Sequence, residues 1–314
     1  MPIFNAFNGI FTIITMILIG VLVVKNKLMN QNTYNFCSKL LMKFCVPALL
    51  FCNAIENVTW EFINDMGILL LVPFVTQIIN YVIAVICSRL FRIPEKERGI
   101  FVAIFAVSNT IFIGLPVTTA IYGESTIPFV TACFLSNTVC FWSLIVPGIA
   151  SDGGSASVRL SQKMKQIFSA PLLAFIFGSI LNLSGLSLPS FLTGALDYMG
   201  GMVTPLSMLL IAFLLCDMGK RAFKLSRTAA LGIVGRYLIA PAVIIVSCLL
   251  FKVPSDIAKV FTTVGAMPVM NQAVILAGAY KANDKCVAQA LAFTCVMGVA
   301  VIPVMVFILE KIFA

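Results

Sequence analysis

Residues 107–116 read VSNTIFIGLP and lie in the middle of a long apolar stretch. A second sequence of this kind, GAMPVMNQ at residues 265–272, interrupts another apolar stretch near the end of the chain. Each combines glycine and proline, which disturb a helix, with amide or hydroxyl side chains. In hydrocarbon, the polar groups that a helix break frees need new partners. The two sequences therefore predict two interrupted membrane helices that bring polar groups to mid-membrane.

The composition of the whole chain points to a membrane protein. Of the 314 residues, 61% are hydrophobic and only 11% are charged. Ordinary globular domains contain about 45–50% apolar and about 25% charged residues. A soluble fold of this length could not bury so much apolar surface, so we expect an all-α protein that crosses the bilayer many times. A secreted disulfide scaffold, a disordered chain and a nucleic-acid-binding protein are excluded.

Ten apolar segments are long enough to cross about 30 Å of hydrocarbon as helices. They lie near residues 3–24, 36–55, 66–88, 99–121, 126–148, 168–186, 195–216, 228–250, 257–279 and 288–309. Most of the 21 Lys and Arg residues fall in every second loop, beginning with the loop after the first segment. The positive-inside rule makes that side cytoplasmic, so we expect both termini outside a plasma membrane. The longest polar stretch, residues 151–167, is then a cytoplasmic linker.

The two halves of the chain share a pattern of helix-disturbing and aromatic residues. A shift of 158 positions superposes three pairs: Gly20 on Gly178, Pro47 on Pro205, and Tyr122 on Tyr280. Because each half holds five segments, an odd number, the halves enter the membrane in opposite directions. Inverted repeats of this kind are common in secondary transporters. We therefore predict a first five-helix repeat at residues 1–150 and a second at residues 168–314.

The residues that most catalytic and metal sites need are missing or scattered. Histidine is absent, which excludes His-containing triads and His metal sites. The ten cysteines form no C-x-x-C pair, and most lie in apolar segments as small hydrophobic residues. No acidic residue lies clearly at mid-depth. We expect a protein that is not an enzyme and that carries neither a metal nor a cofactor.

The order and spacing of several motifs resemble those of the auxin efflux carrier family, the plant PIN auxin exporters and their bacterial relatives. The matching sequences are Asn109-Thr110, Gly114-Leu115-Pro116 and Tyr122-Gly123 in the fourth segment, and Ala266-Met267-Pro268 in the ninth. The resemblance implies ten transmembrane helices, arranged as two inverted repeats with a scaffold domain and a transport domain. It also implies that the broken helices 4 and 9 cross near mid-membrane and hold an organic anion there.

We expect the substrate site at this crossing. The candidate residues are Asn109, Thr110, Gly114, Pro116, Asn137, Pro268, Asn271 and Gln272. Free N–H groups and positive helix ends would hold a carboxylate, and the amide and hydroxyl side chains would add donors. By the resemblance, Asn109 is the main polar contact, and Asn137 matches a substrate-facing glutamine of plant members. Those members carry a further proline at the position of Ala273 and a long hydrophilic loop, so small dicarboxylates fit this chain better than auxin.

Arg236 is the one charge deep inside an apolar segment. It could attract anions from the cytoplasm, snorkel to the inner interface or pair with Asp217, and the sequence leaves these alternatives open. With neither a histidine nor a mid-depth acid, a proton relay has no obvious carrier. Uniport is therefore the simplest mode of transport.

The leading hypothesis is a secondary transporter of small organic anions that works by elevator-like alternating access. The alternatives are a sodium-coupled symporter of the bile acid:sodium symporter type and a non-transporting membrane sensor or binding module. Sodium-dependent uptake would identify the symporter. We expect the organic anion and the lipid bilayer as partners and no nucleic acid, while a homodimer remains open.

Overall fold

The computed structural model describes residues 2–154, 161, 164, 167–218 and 225–313, with the backbone alone for residues 2–10, 217 and 218. The linker predicted at residues 151–167 therefore lies mostly outside the described residues. The helices are α1 (Pro2–Lys25), α2 (Gln31–Asn57), α3 (Trp60–Leu90), α4 (Arg98–Ala106), α5 (Thr110–Tyr122), α6 (Glu124–Asp152), α7 (Ala170–Leu183), α8 (Ser190–Cys216), α9 (Arg227–Leu250), α10 (Ser255–Gly265), α11 (Asn271–Ala279) and α12 (Asp284–Ile312).

Regular structure in these ranges is helical, and the only strand-like feature there is an isolated bridge between two residues. Six of the described helices are long and apolar enough to cross a membrane: α2, α3, α6, α8, α9 and α12. Three further apolar helices are shorter: the part of α1 at Phe11–Lys25, the whole of α5 and the whole of α7. The expectation of an all-α, multi-pass membrane protein is thus confirmed, while the count of ten spans in two inverted repeats stays a prediction.

Short polar side chains begin several of these helices. Asn30, Thr59, Ser226 and Asn283 each accept a hydrogen bond from the backbone N–H three residues later. The first N–H groups of a helix have no intrahelical acceptor, so such caps stabilise the start of the helix. They also explain why the helices extend beyond the apolar segments into the polar flanks.

Four of the prolines within the described helices follow wider turns. Four π-helical turns in the described chain each end two residues before a proline: Leu41–Cys45 before Pro47, Thr110–Gly114 before Pro116, Phe141–Ile145 before Pro147, and Gly235–Ile239 before Pro241. Proline has no N–H and crowds the carbonyl four residues earlier, and a wider turn relieves both problems. The fourth segment is interrupted at residues 107–109, within the stretch 107–116 quoted from the sequence. The expectation that Pro116 causes the interruption is wrong, because α5 runs through it without a break.

The chain divides into two compact units. Unit 1 comprises Met1–Leu71, Ile111–Ala132 and Phe168–Asp217, and unit 2 comprises Val72–Thr110, Cys133–Ile167 and Met218–Ala314. Each unit draws helices from both halves of the chain. The two predicted repeats are therefore not the compact units of the structure.

Small residues bring the helices of unit 1 close together. Gly178 of α7 faces α2, where an added Cβ would lie 2.7 Å from the carbonyl oxygen of Phe51. Gly200 of α8 faces the same helix, where an added Cβ would lie 3.0 Å from the Cα of Leu49. Apolar helices in a membrane gain stability from such close packing, because lipid provides no hydrophobic driving force between them.

The short helix α4 of unit 2 is stabilised at both ends by side chains from other helices. All of its residues after the first are buried. At its start, the carboxylate of Asp152 accepts hydrogen bonds from the N–H groups of Gly99 and Ile100, at 3.1 and 2.8 Å. At its end, Gln77 Nε2 donates to the carbonyl of Ala106 at 2.8 Å. These contacts satisfy backbone groups that a helix leaves without partners.

Candidate functional site

Two helices are interrupted at points that lie in unit 2. Residues 107–109 separate α4 from α5, and residues 266–270 separate α10 from α11. Neither stretch is helical, and both lie in unit 2. We call residues 107–109 and 266–270 the junction. The second stretch contains Pro268, whereas the first lies upstream of both Gly114 and Pro116.

The backbones of the two breaks pair with each other. Ser108 and Val269 form an antiparallel bridge, and the N–H of Asn109 donates to the carbonyl of Pro268 at 2.8 Å. Backbone groups that leave a helix at membrane depth need partners inside the protein. Each break therefore supplies hydrogen-bonding partners for the other.

Two further helices of unit 2 support the second break. The N–H of Val269 donates to Thr294 Oγ1 of α12 at 3.2 Å. The carbonyl of Thr294 accepts a hydrogen bond from the hydroxyl of Tyr237 of α9 at 2.6 Å. This chain of contacts holds the backbone of the junction to the helices beside it.

Three asparagine side chains meet at the junction. Asn109 Nδ2 lies 3.5 Å from Asn271 Oδ1, and Asn137 Nδ2 donates to the carbonyl of Ser108 at 2.8 Å. Asn109, Asn137 and Asn271 are all buried. Asn137 Oδ1 is buried without a hydrogen-bond partner, so it is an acceptor for a donor group of a bound molecule and not for an ionised carboxylate.

The structure brings most of the predicted site residues together. Asn109, Asn137, Pro268 and Asn271 contact one another directly or through the junction backbone. Thr110 is the first residue of α5 and is buried, and Gln272 is the second residue of α11 and is half-buried. Gly114 and Pro116 belong to unit 1 and lie further along α5, so the structure does not place them in this group.

Helix ends give the junction its electrostatic character. α5 and α11 begin directly after it, and the first N–H groups of a helix form the positive end of its dipole. α4 and α10 end directly before it and present negative ends. Helix starts with nearby neutral amide donors are suited to an anion.

Two residues that cap the helix ends belong to the description of the site. Gln77 caps α4, and sequence reasoning missed it, although an amide within an apolar segment was the available signal. Arg236 Nη2 donates to the carbonyl of Gly265, the last residue of α10, at 2.9 Å. Arg236 is only 1% exposed, so it does not snorkel to the surface. The side chain of Asp217, its other predicted partner, lies outside the described residues.

Comparison with known proteins identifies the family. Residues 5–308 match the sequence profile of a family described as "Membrane transport protein". The chain belongs to this family. The match covers nearly the whole chain, and it confirms the resemblance to the auxin efflux carriers that the motifs indicated.

Relatives of this membrane transport protein are also named as transporters. An "Uncharacterized transporter" of Methanothermobacter thermautotrophicus is 24% identical over 204 residues, which cover 64% of this chain and 65% of the relative, slightly less than two thirds. One from Methanocaldococcus jannaschii is 21% identical over 301 residues, covering 93% and 95% of the two chains. One from Saccharomyces cerevisiae is 26% identical over 94 residues, covering 30% and 16%. Their names state no substrate.

Proposed function

We propose that this membrane transport protein is a secondary transporter of small organic anions, with a carboxylate bound at the junction. The observation that carries the proposal is the backbone pairing of two helix breaks in unit 2. α5 and α11 begin directly after these breaks, and three buried asparagines meet there. Moving a carboxylate out of water is costly unless donors replace its hydration. Neutral amides and helix N–H groups can do this and still release the anion.

Matched contacts in the two halves of the chain support a ten-helix inverted repeat. The capping bond from Gln77 to Ala106 has a counterpart in the bond from Arg236 to Gly265, and both residues of the second bond lie 159 positions after those of the first. Asn109 and Pro268, which bond to each other, are also 159 positions apart. Residues that meet at a pseudo-two-fold axis are expected to be equivalents of each other. The offset is one residue larger than the sequence comparison gave.

The division into compact units supports elevator-like alternating access. The whole junction and the three asparagines lie in unit 2. A bound anion would therefore travel with unit 2 if that unit moves as one body. In this proposal the protein is located in the plasma membrane with both termini outside.

The proposal is tested by a thermal-shift screen of the purified protein against monocarboxylates, dicarboxylates and indole acids. A ligand that binds the folded state raises the unfolding temperature by mass action. We expect at least one carboxylate to do so and to be taken up by proteoliposomes. Asn109→Ala should weaken its binding by about 10- to 10²-fold, because a hydrogen bond to a charged group contributes about 1.5–3 kcal/mol.

The matched control is Asn53→Ala, since Asn53 is an asparagine of similar burial in unit 1. It should leave carboxylate affinity unchanged. Equal affinity in the Asn109→Ala variant and the wild type would remove the junction as the site. Binding without uptake would favour a membrane sensor.

A further inference from the structure

Arg236 carries a buried charge that no acidic group of the described chain neutralises. Its Nη2 atom donates to the carbonyl of Gly265. Its Nε and Nη1 atoms are buried and have no hydrogen-bond partner. No described carboxylate lies within 4.0 Å of it. A lone guanidinium in such a place costs free energy, and charges of this kind inside membrane proteins usually serve a function.

A second buried cation in unit 2 provides a contrast. Lys259 of α10 is 8% exposed, and its Nζ lies 3.0 Å from Glu310 Oε2 of α12. The two side chains form a neutral pair. The charge of Lys259 is therefore neutralised by its partner, whereas the positive charge of Arg236 is not.

Capping the end of α10 does not explain that charge. Gln77 caps the equivalent carbonyl at the end of α4 with a neutral amide. A hydrogen-bond donor is therefore sufficient to satisfy the last carbonyl of a broken helix in this protein. The hydrogen bond to Gly265 thus requires a donor but does not require the positive charge of Arg236.

We propose that Arg236 is a specificity-determining positioning residue, whose charge makes the junction select anions over neutral molecules of the same shape. Its bonding partner Gly265 directly precedes the junction, so the guanidinium stands beside the site without being part of it. It cancels the negative end of α10, which would repel an anion at the junction, and leaves a net positive charge. The inference rests on the proposed function, because it takes the junction to be the anion site.

Acid and amide probes of the same shape test the role of the charge. We would measure binding of succinate against succinamide, and of indole-3-acetate against indole-3-acetamide, by thermal shift and by uptake competition. Arg236→Gln keeps a donor for Gly265, as Gln77 does for Ala106, but removes the charge. Its affinity for the acids should fall by about tenfold or more, as expected for one unit charge acting over several ångströms in protein, with the amides unaffected. Arg236→Lys should retain most of the acid preference.

The control is the double variant Lys259→Gln with Glu310→Gln, which removes a neutral pair and should keep the wild-type acid preference. If Arg236→Gln does not fold, Arg236→Met provides the charge-free variant. The inference is overturned if the charge-free variant binds acids as well as the wild type does, or loses acid and amide binding equally. If no carboxylate of the screen binds the wild type, the proposed function fails and this inference fails with it.

Discussion

Thr294 is the residue on which the second break depends most directly. Its hydroxyl donates within its own helix, as buried threonines in membrane helices commonly do, but the same oxygen also accepts the N–H of Val269. An unsatisfied buried N–H costs about 1–3 kcal/mol. One hydroxyl thus stabilises a stretch of backbone that has left its helix.

We therefore expect Thr294→Val to destabilise the folded protein by about 1–2 kcal/mol, since valine fills the space but leaves the Val269 N–H without a partner. The measurement is reversible unfolding in detergent. Thr262→Val is the matched control, because Thr262 is equally buried and its hydroxyl bonds only to the carbonyl of Ala258. Equal losses in the two variants would show that the bond to Val269 contributes nothing.

Among the residues of the site, the sequence located some roles and missed others. Asn109, Asn137 and Asn271 were visible because an amide in an apolar segment needs a partner. Pro268 marked the second break, since proline with its polar neighbours disturbs a helix. The first break was misplaced at Pro116 because a π-helical turn accommodates that proline. Residues 107–109 leave the helix beside Pro268 and Val269, a contact distant in sequence that no local pattern reveals.

At the scale of elements, α4 shows how a short helix can exist inside a membrane protein. Isolated helices of nine residues are not stable in water, because nucleation is costly and few hydrogen bonds repay it. Here Asp152 satisfies the first N–H groups and Gln77 the last carbonyl. The sequence predicted the helix but not its caps, because both caps come from helices distant in the chain.

Gln77→Leu should lower stability by about 1–3 kcal/mol, because the buried carbonyl of Ala106 loses its donor. Asn80→Leu is a control on the same helix, one turn further along. Asn80 is buried, and its Oδ1 has no partner, so removing it should be neutral or stabilising. Thermal unfolding of both variants distinguishes the cases. A Gln77 variant as stable as the Asn80 variant would contradict the capping role.

At the scale of the whole molecule, the grouping of helices could not be predicted from the chain. The prediction of two inverted repeats does not say which helices pack together, and each compact unit combines helices from both halves of the chain. Hydropathy identifies which segments are apolar but carries no information on which of them pack together. The orientation in the membrane, by contrast, follows from the distribution of Lys and Arg and can be tested directly.

A topology test needs a cysteine that the fold tolerates. Gly153 is unsuitable, since an added Cβ would lie 1.8 Å from the carbonyl oxygen of Tyr280. Ser151 and Ser187 are both exposed and are predicted to lie on opposite sides of the membrane. In a cysteine-less background, an impermeant reagent applied to right-side-out vesicles should label Ser187→Cys and not Ser151→Cys. The reverse pattern would invert the proposed orientation.

The junction is held together by main-chain atoms. The bridge from Ser108 to Val269 and the bond from Asn109 to Pro268 join N–H and carbonyl groups, which most amino acids provide alike. Evolutionary drift can therefore exchange many of the side chains around these contacts while the backbone arrangement persists. Members of the family could in this way change substrate by single side-chain substitutions, while the backbone of the binding site stays the same.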